Sequence, residues 1–370
     1  MTAYVFMIVF WLAMYYWLIY VPQEIKEDFS GIEKHKKAYI LFAGIALFVV
    51  MGLRHKYVGF DTMRYLERYR VSGRYEWSYF LDFGKWLKYE LGFTLIGKIL
   101  QTIGVGEQVY LILYALFISL CISLLVYRWC KNPFLGFYLH TTIGLFTMSM
   151  SGMRQSIACC ICWLGIDYIF EKKPVSFFLL VLLASTFHQS AIFFLAFYFA
   201  RYIKTNKISG WLLWLVCLSF VFLKTVFVTV FTYLLPEKYN IYGLVNDKYP
   251  VNPILVGVAL LIPAFCLFFW EREKTIANEE EPLCSLCFCG SLLYAIITTL
   301  SLSSNMIGRM SQYFYIFNVI LLGNIVSDIS DYKTRYVVLL ATILFPGYMF
   351  FKAQSLGISP YYFFWQTYGG

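Results

Sequence analysis

Apolar residues in this chain run in long blocks separated by short polar punctuation, with no extended stretch of strict alternation. A block of about twenty apolar residues is what an α-helix needs to cross the hydrocarbon core of a bilayer. Reading the blocks in order predicts spans over 3–21, 38–53, 108–127, 133–151, 155–170, 175–187, 190–200, 209–235, 252–270, 283–302, 311–327 and 336–351, about twelve in all, the shortest being 175–187 and 190–200. A membrane β-barrel would instead give alternating segments of about ten residues. The pattern therefore predicts an all-α polytopic integral membrane protein. It forms one transmembrane domain over 1–370, with no inserted soluble domain and no internal repeat.

Charge orients the spans, because lysine and arginine gather in the short loops of the cytoplasmic side. An outside N-terminus puts Lys26, Lys34, Lys36, Lys37, Arg128, Lys131, Lys172, Lys173, Arg201, Lys204, Lys207, Arg272, Lys274, Lys333 and Arg335 inside. Apart from residues 54–98, the outer face then keeps only Arg154, Lys238, Lys248, Arg309 and Lys352. This alternation requires 175–200 to be two short helices broken near His188. One segment departs from the rule: Arg54, Lys56, Arg64, Arg68, Arg70, Arg74, Lys85, Lys88 and Lys98 all fall on the outer side. Residues 54–107 are therefore expected to form an outer loop whose amphipathic part, 92–105, is re-entrant or lies in the interface. A basic loop retained outside suits the binding of an anion.

Composition narrows the function classes. At 60% hydrophobic, 21% aromatic and 14% charged residues, with mean hydropathy +0.66, the chain is no soluble domain. Its net charge of +9 is scattered through short loops, which suits an anionic membrane surface and not nucleic acid. The ten cysteines lie mainly inside apolar runs, and the cluster Cys284, Cys287 and Cys289 has no histidine near it. They read as small packing residues, with no metal site expected. The first apolar run is long enough to span and lacks the basic start and small-residue cleavage site of a secretory signal.

Candidate chemistry sits at the ends of the runs. Arg154 opens 155–170, and the return run 175–187 delivers His188. At 1.5 Å per residue these reach roughly 25 Å and 20 Å, so an out-and-back hairpin returns His188 to the face that holds Arg154. Ionisable groups at that depth are costly and usually functional, the plainer account being an arginine that snorkels at a helix end. Arg54 ends the second span, Glu90 precedes the re-entrant stretch, and Arg309 starts a late span. Arginine forks suit phosphate oxygens. Asp61, Glu90 or His188 can accept a proton from a hydroxyl, and the choice among them is open. Asp61, Arg64 and Arg68 also fall at helix-surface pairing intervals. Tyr57, Tyr65 and Tyr313 offer rings to a sugar, with nothing in the sequence to single one out. With no nucleotide-binding loop, zinc pair, serine elbow or Asp-x-Asp present, a transferase here needs a substrate already activated and already in the membrane. A lipid diphosphate glycan meets both conditions.

The ordered set Arg54…Gly59-Phe60-Asp61-Thr62…Tyr65, Glu90-Leu91-Gly92-Phe93, Met153-Arg154-Gln155-Ser156-Ile157-Ala158, Phe187-His188-Gln189-Ser190-Ala191 and Gly308-Arg309…Tyr313-Phe314 resembles the EpsG-like family of bacterial Wzy-type polysaccharide polymerases, which make O-antigen, capsule and exopolysaccharide. The resemblance covers roughly residues 40–320, with Phe60 where Thr is common in the family. It implies a multi-span, GT-C-like, lipid-dependent glycosyltransferase of the bacterial inner membrane with its site on the extracytoplasmic side. A growing glycan would pass from undecaprenyl diphosphate to the non-reducing end of a lipid-linked repeat unit, with inversion and with no metal or other cofactor. The binding set it points to is Arg54, Arg64, Arg154, Gln155, Arg309 and Tyr313. Implied partners are the lipid-linked donor and acceptor, membrane lipids, a Wzz-like chain-length regulator and a flippase. A lipid-linked oligosaccharide flippase, or a membrane acyltransferase with His188 as base, is the competing reading.

Overall fold

The structure, a computed structural model, describes residues 2–25, 29–82, 85–86, 89–234, 253–270, 281–302, 305–352 and 357–368. Of the charges used to orient the spans, Lys26, Lys88, Lys238, Lys248, Arg272 and Lys274 lie outside them, as do the ends of the runs at 209–235 and 252–270.

The protein is an all-α polytopic membrane protein. Hydrocarbon offers no partner to backbone amides, so a spanning segment must bond internally, as a helix does. Among the described residues seven helices are long and apolar enough to cross a bilayer: Thr2–Gln23, Ser30–Gly52, Glu107–Trp129, Lys207–Phe227, Pro282–Leu300, Ile307–Asp328 and Tyr332–Lys352. Pro174–Phe187 and Pro253–Phe268 are apolar but shorter. The runs at 133–151 and 155–170 differ from the single spans expected of them. The first is divided at Gly144, which takes φ +119° between Pro133–Thr142 and Leu145–Ser151. The second is divided at Gly165 into Met153–Leu164 and Ile166–Phe170. Glycine tolerates the left-handed turn at 144 at no steric cost, and apolar periodicity does not reveal such a break.

The chain folds as two compact units. The first comprises Met1–Gly165, Leu179–Ile192 and Leu339–Gly370. Its centre is the pairing of Phe29–Gly52 with Glu107–Trp129. The two approach closely because Gly44 faces the Ser123 hydroxyl and Gly52 faces Ala115, the small-residue contact that membrane helices favour. Trp11 donates its indole N–H to the Ala43 carbonyl at 3.0 Å, so the first helix is pinned to the same core. The Leu91–Thr102 helix rises about 18 Å, short of a crossing, and packs on Thr62–Ser72.

A C-terminal segment, 357–368, lies over the loop that follows Gly52. His55 N–H donates to Tyr362 O at 2.8 Å, Phe364 N–H to Leu53 O at 2.9 Å, and Tyr361 Oη to Val50 O at 2.9 Å. Gly59 in the same loop takes φ +102°, and a Cβ there would strike the Met150 carbonyl. Only glycine fits.

The second unit comprises Ile166–Phe178 and Phe193–Val338. Glu281–Leu300 is its hub, packed on Lys207–Leu234, Pro253–Phe268 and Tyr315–Asp328. Gly290 lies flat against the Phe317 side chain, and Ser291 Oγ donates to buried Asn318 Oδ1 at 2.6 Å. After His188 the chain winds as a 3₁₀ helix over Gln189–Tyr202, fourteen residues where runs beyond three or four are uncommon. At about 2.0 Å per residue it extends about 28 Å, against about 21 Å for an α-helix of that length. It turns back along Pro174–Phe187: the Phe177 ring stands 5.4 Å from Tyr198 and 5.8 Å from Phe194. Residues 174–202 thus form an out-and-back hairpin, with an extended second arm instead of a short α-helix. Behind that arm is an apolar cleft of about 580 Å³, closed by side chains of the Lys207–Leu234 and Glu281–Leu300 helices.

Candidate active site

Glu90, Arg154 and His188 meet in the first unit. Glu90 is the residue before the Leu91–Thr102 helix and takes φ 53°, ψ 51°, a left-handed conformation that costs a non-glycine residue about 1–2 kcal/mol. Its carboxylate is held from three sides. One oxygen pairs with Arg154 Nη1. The other lies 2.8 Å from His188 Nδ1 and accepts from the Gln189 backbone N–H at 3.1 Å. Such over-determination is what keeps a strained backbone in place.

Each contact has a local reason. Arg154 is in the first turn of Met153–Leu164, where a cation opposes the positive helix end, and the Glu90 carboxylate offsets it. Its guanidinium also lies over the Tyr65 ring, 6.0 Å from the centroid. His188 occupies the break between the Pro174–Phe187 helix and the 3₁₀ helix. The Gln189 amide opens that 3₁₀ helix, so Glu90 caps its N-terminus. Gly92 allows the approach, because a Cβ there would press into the hydroxyl and carbonyl of Thr186, two residues before His188. The three side chains keep 13–20% of their surface exposed, so the group is recessed yet reachable.

The remaining candidates stand in other settings. Asp61 pairs with Arg64 at 3.1 Å on the protein surface, where Arg64 is 76% exposed. A pair this exposed contributes about 0–1 kcal/mol. Gln155 is buried beside Arg154 in sequence. Arg54 has no exposed surface: its Nη1 donates to Met51 O at 3.1 Å and contacts Met150 Sδ, and Nε and Nη2 have no acceptor among the described residues. Burial pushes this guanidinium below arginine's ordinary pKa, while nearby Tyr114, Tyr361 and Tyr4 act to raise it. Arg309 and Tyr313 belong to the second unit, Arg309 exposed on Asn305–Ser311 and Tyr313 buried in the turn Gln312–Phe314.

The model of the EpsG family matches residues 37–366. The chain belongs to the EpsG family. The match takes in Arg54, Glu90, Arg154, His188 and Arg309, and it runs on through most of the C-terminal segment that covers Arg54. No curated protein and no solved structure matches the chain.

Two features were not reached by motif reading. The Gln189 amide is a backbone donor and leaves no sequence mark. The C-terminal cover has its sequence signal in the aromatic run Tyr361-Tyr362-Phe363-Phe364-Trp365, which is too short to span.

Proposed function

We propose that this EpsG-family member is a polysaccharide polymerase that transfers a growing glycan from undecaprenyl diphosphate to the non-reducing end of a lipid-linked repeat unit. The reading assigns its site to the extracytoplasmic face of the bacterial cytoplasmic membrane. The observation that carries it is the recessed Glu90 carboxylate shared by Arg154 and His188, within a family match that covers nearly the whole chain.

In this reading His188 is the base. With Nδ1–H given to Glu90, the imidazole adopts the tautomer that carries its lone pair on Nε2, the arrangement of a carboxylate–histidine pair. The acceptor hydroxyl oxygen attacks the anomeric carbon, its proton passes to Nε2, and the bond from that carbon to the diphosphate oxygen breaks. Undecaprenyl diphosphate departs with the electron pair and the configuration inverts. Arg154 stabilises the charge that grows on the leaving diphosphate, an electrostatic role that is strongest in a partly dry site. Glu90 positions both groups, while Asp61, engaged by exposed Arg64, remains outside the reaction.

Purified protein in liposomes, given lipid-linked repeat units, should produce a ladder of longer glycans. Arg154→Ala should abolish the ladder while the protein stays in the membrane fraction. Movement of the lipid across the bilayer without elongation, or a wild-type ladder from the variant, would overturn the assignment.

A further inference from the structure

The short helix Leu145–Ser151 ends just before Arg154, with Ser149 and Met150 buried. The last carbonyls of a helix lack intrahelical donors, and a buried end must find them elsewhere. Gly152 N–H reaches Met148 O at 2.6 Å. The carbonyls that follow are met by other elements. Tyr114, from the Glu107–Trp129 helix, donates its hydroxyl to Ser149 O at 2.7 Å. Gly59 lies flat against Met150 O, and Thr62 Oγ1 stands 3.4 Å from the same oxygen. Phe60 N–H donates to Ser151 Oγ at 3.2 Å. Thr62, fully buried, closes this turn by donating its hydroxyl to Val58 O at 2.8 Å. The stretch 59–62 therefore acts through Gly59, the Phe60 amide and Thr62, while Asp61 faces exposed Arg64.

We propose that Tyr114 and Thr62 are positioning residues for the transfer reaction, holding the Ser149–Gly152 break so that Arg154 meets Glu90. The proposal rests on the polymerase reading above and adds two residues that act through Arg154. Gly152 separates the two helices and has no side chain to fix the angle between them, so the angle is set from outside. Ser156 Oγ donates back to Gly152 O at 3.0 Å, which makes the break and the first turn after it move together. Arg154 is in that turn, and its guanidinium carries any shift of the break to the Glu90 carboxylate. A misplacement of about 1 Å at a reacting group can cost about 10²-fold in rate.

Two readouts on the full chain in liposomes test this: glycan elongation, and modification of Arg154 by phenylglyoxal without substrate, followed by peptide mass spectrometry. Tyr114→Phe keeps the ring and Thr62→Val keeps the shape, and each removes the hydroxyl. Each should lower kcat about tenfold or more, with KM for the repeat unit little changed. In each, Arg154 should react severalfold faster, while Arg70, paired with Glu107 away from the break, keeps its rate. Thr62→Ser returns the hydroxyl and should recover most of the loss in both readouts. Unchanged Arg154 reactivity in the two variants would overturn the proposal whatever their rates. So would equal acceleration at Arg70, which marks general loosening, or a Thr62→Ser variant no better than Thr62→Val. Normal kcat in both variants of a wild type that elongates would overturn it too, and would leave the polymerase standing. A wild type that makes no ladder, with Arg154 loosened in the variants, sinks the polymerase reading and leaves the hold on Arg154.

Discussion

Glu90 Oε1 and His188 Nδ1 lie 2.8 Å apart although 98 residues separate them in the chain, and the other carboxylate oxygen of Glu90 pairs with Arg154. Two side chains tied to one carboxylate should behave with it as one catalytic unit. Glu90→Gln keeps the size and removes the charge, so the elongation rate should fall about 10²–10⁴-fold, the usual contribution of a positioned base. His188→Ala should cost a similar factor, and the double variant no more than the worse single one. Initial rates of glycan extension decide this, and multiplicative losses would mean that the two residues act independently.

The left-handed backbone at Glu90 makes a stability prediction separate from activity. Glu90→Ala and Glu90→Gly both delete the carboxylate, but only glycine accepts φ 53° freely. Thermal unfolding in detergent should find the glycine variant more stable than the alanine variant by about 1 kcal/mol, with both inactive. Equal melting temperatures would show that the turn relaxes once the side chain is gone.

At Gly92 a methyl group would push on the Thr186 hydroxyl and carbonyl and part Glu90 from His188. Gly92→Ala should lower elongation at least about tenfold with the protein still inserted. Adding Thr186→Ala, which removes the nearest atom, should restore part of the loss. If the second change worsens the first, the two helices are not separated in the way described.

Arg54 is fully buried, with Nε and Nη2 lacking acceptors among the described residues. Unsatisfied buried donors cost about 1–3 kcal/mol. Arg54→Met, similar in length and without charge, should therefore melt at a higher temperature than the wild type, while Arg54→Lys, still charged and less able to reach Met51 O, should melt lower. A sharp drop for methionine would show that the guanidinium stabilises the fold through contacts with the tyrosines around it.

Topology is open to labelling. The native cysteines form no disulfide and, apart from half-buried Cys284, are buried, so background should be low. Arg64→Cys and Arg309→Cys occupy exposed positions and should react with an impermeant maleimide added to spheroplasts. Reaction only after permeabilisation would place both on the cytosolic side and remove the extracytoplasmic assignment.

The sequence carried the outline of this site. Arg154 and His188 were placed on one face by the lengths of two apolar runs, and Glu90 stood out as a lone carboxylate before a short amphipathic stretch. What joins them depends on features that hydropathy does not encode. Glu90 reaches both partners through a left-handed φ and a backbone amide, and Gly92 matters for the volume it leaves empty. Nor does an apolar run distinguish 3₁₀ from α winding, because both bury the same composition, so 190–200 reads as a short helix. Arg54 looked like Arg154 in sequence. The difference is made by the C-terminal segment, whose backbone pairs with residues 53–55 from more than three hundred positions away.

The 3₁₀ helix imposes a rule on length variation. One residue added or lost between Gln189 and Phe193 rotates everything beyond it by about 120°, exchanging the side chains that face the cleft for those that face away from it. Insertions and deletions there should be tolerated only in multiples of three.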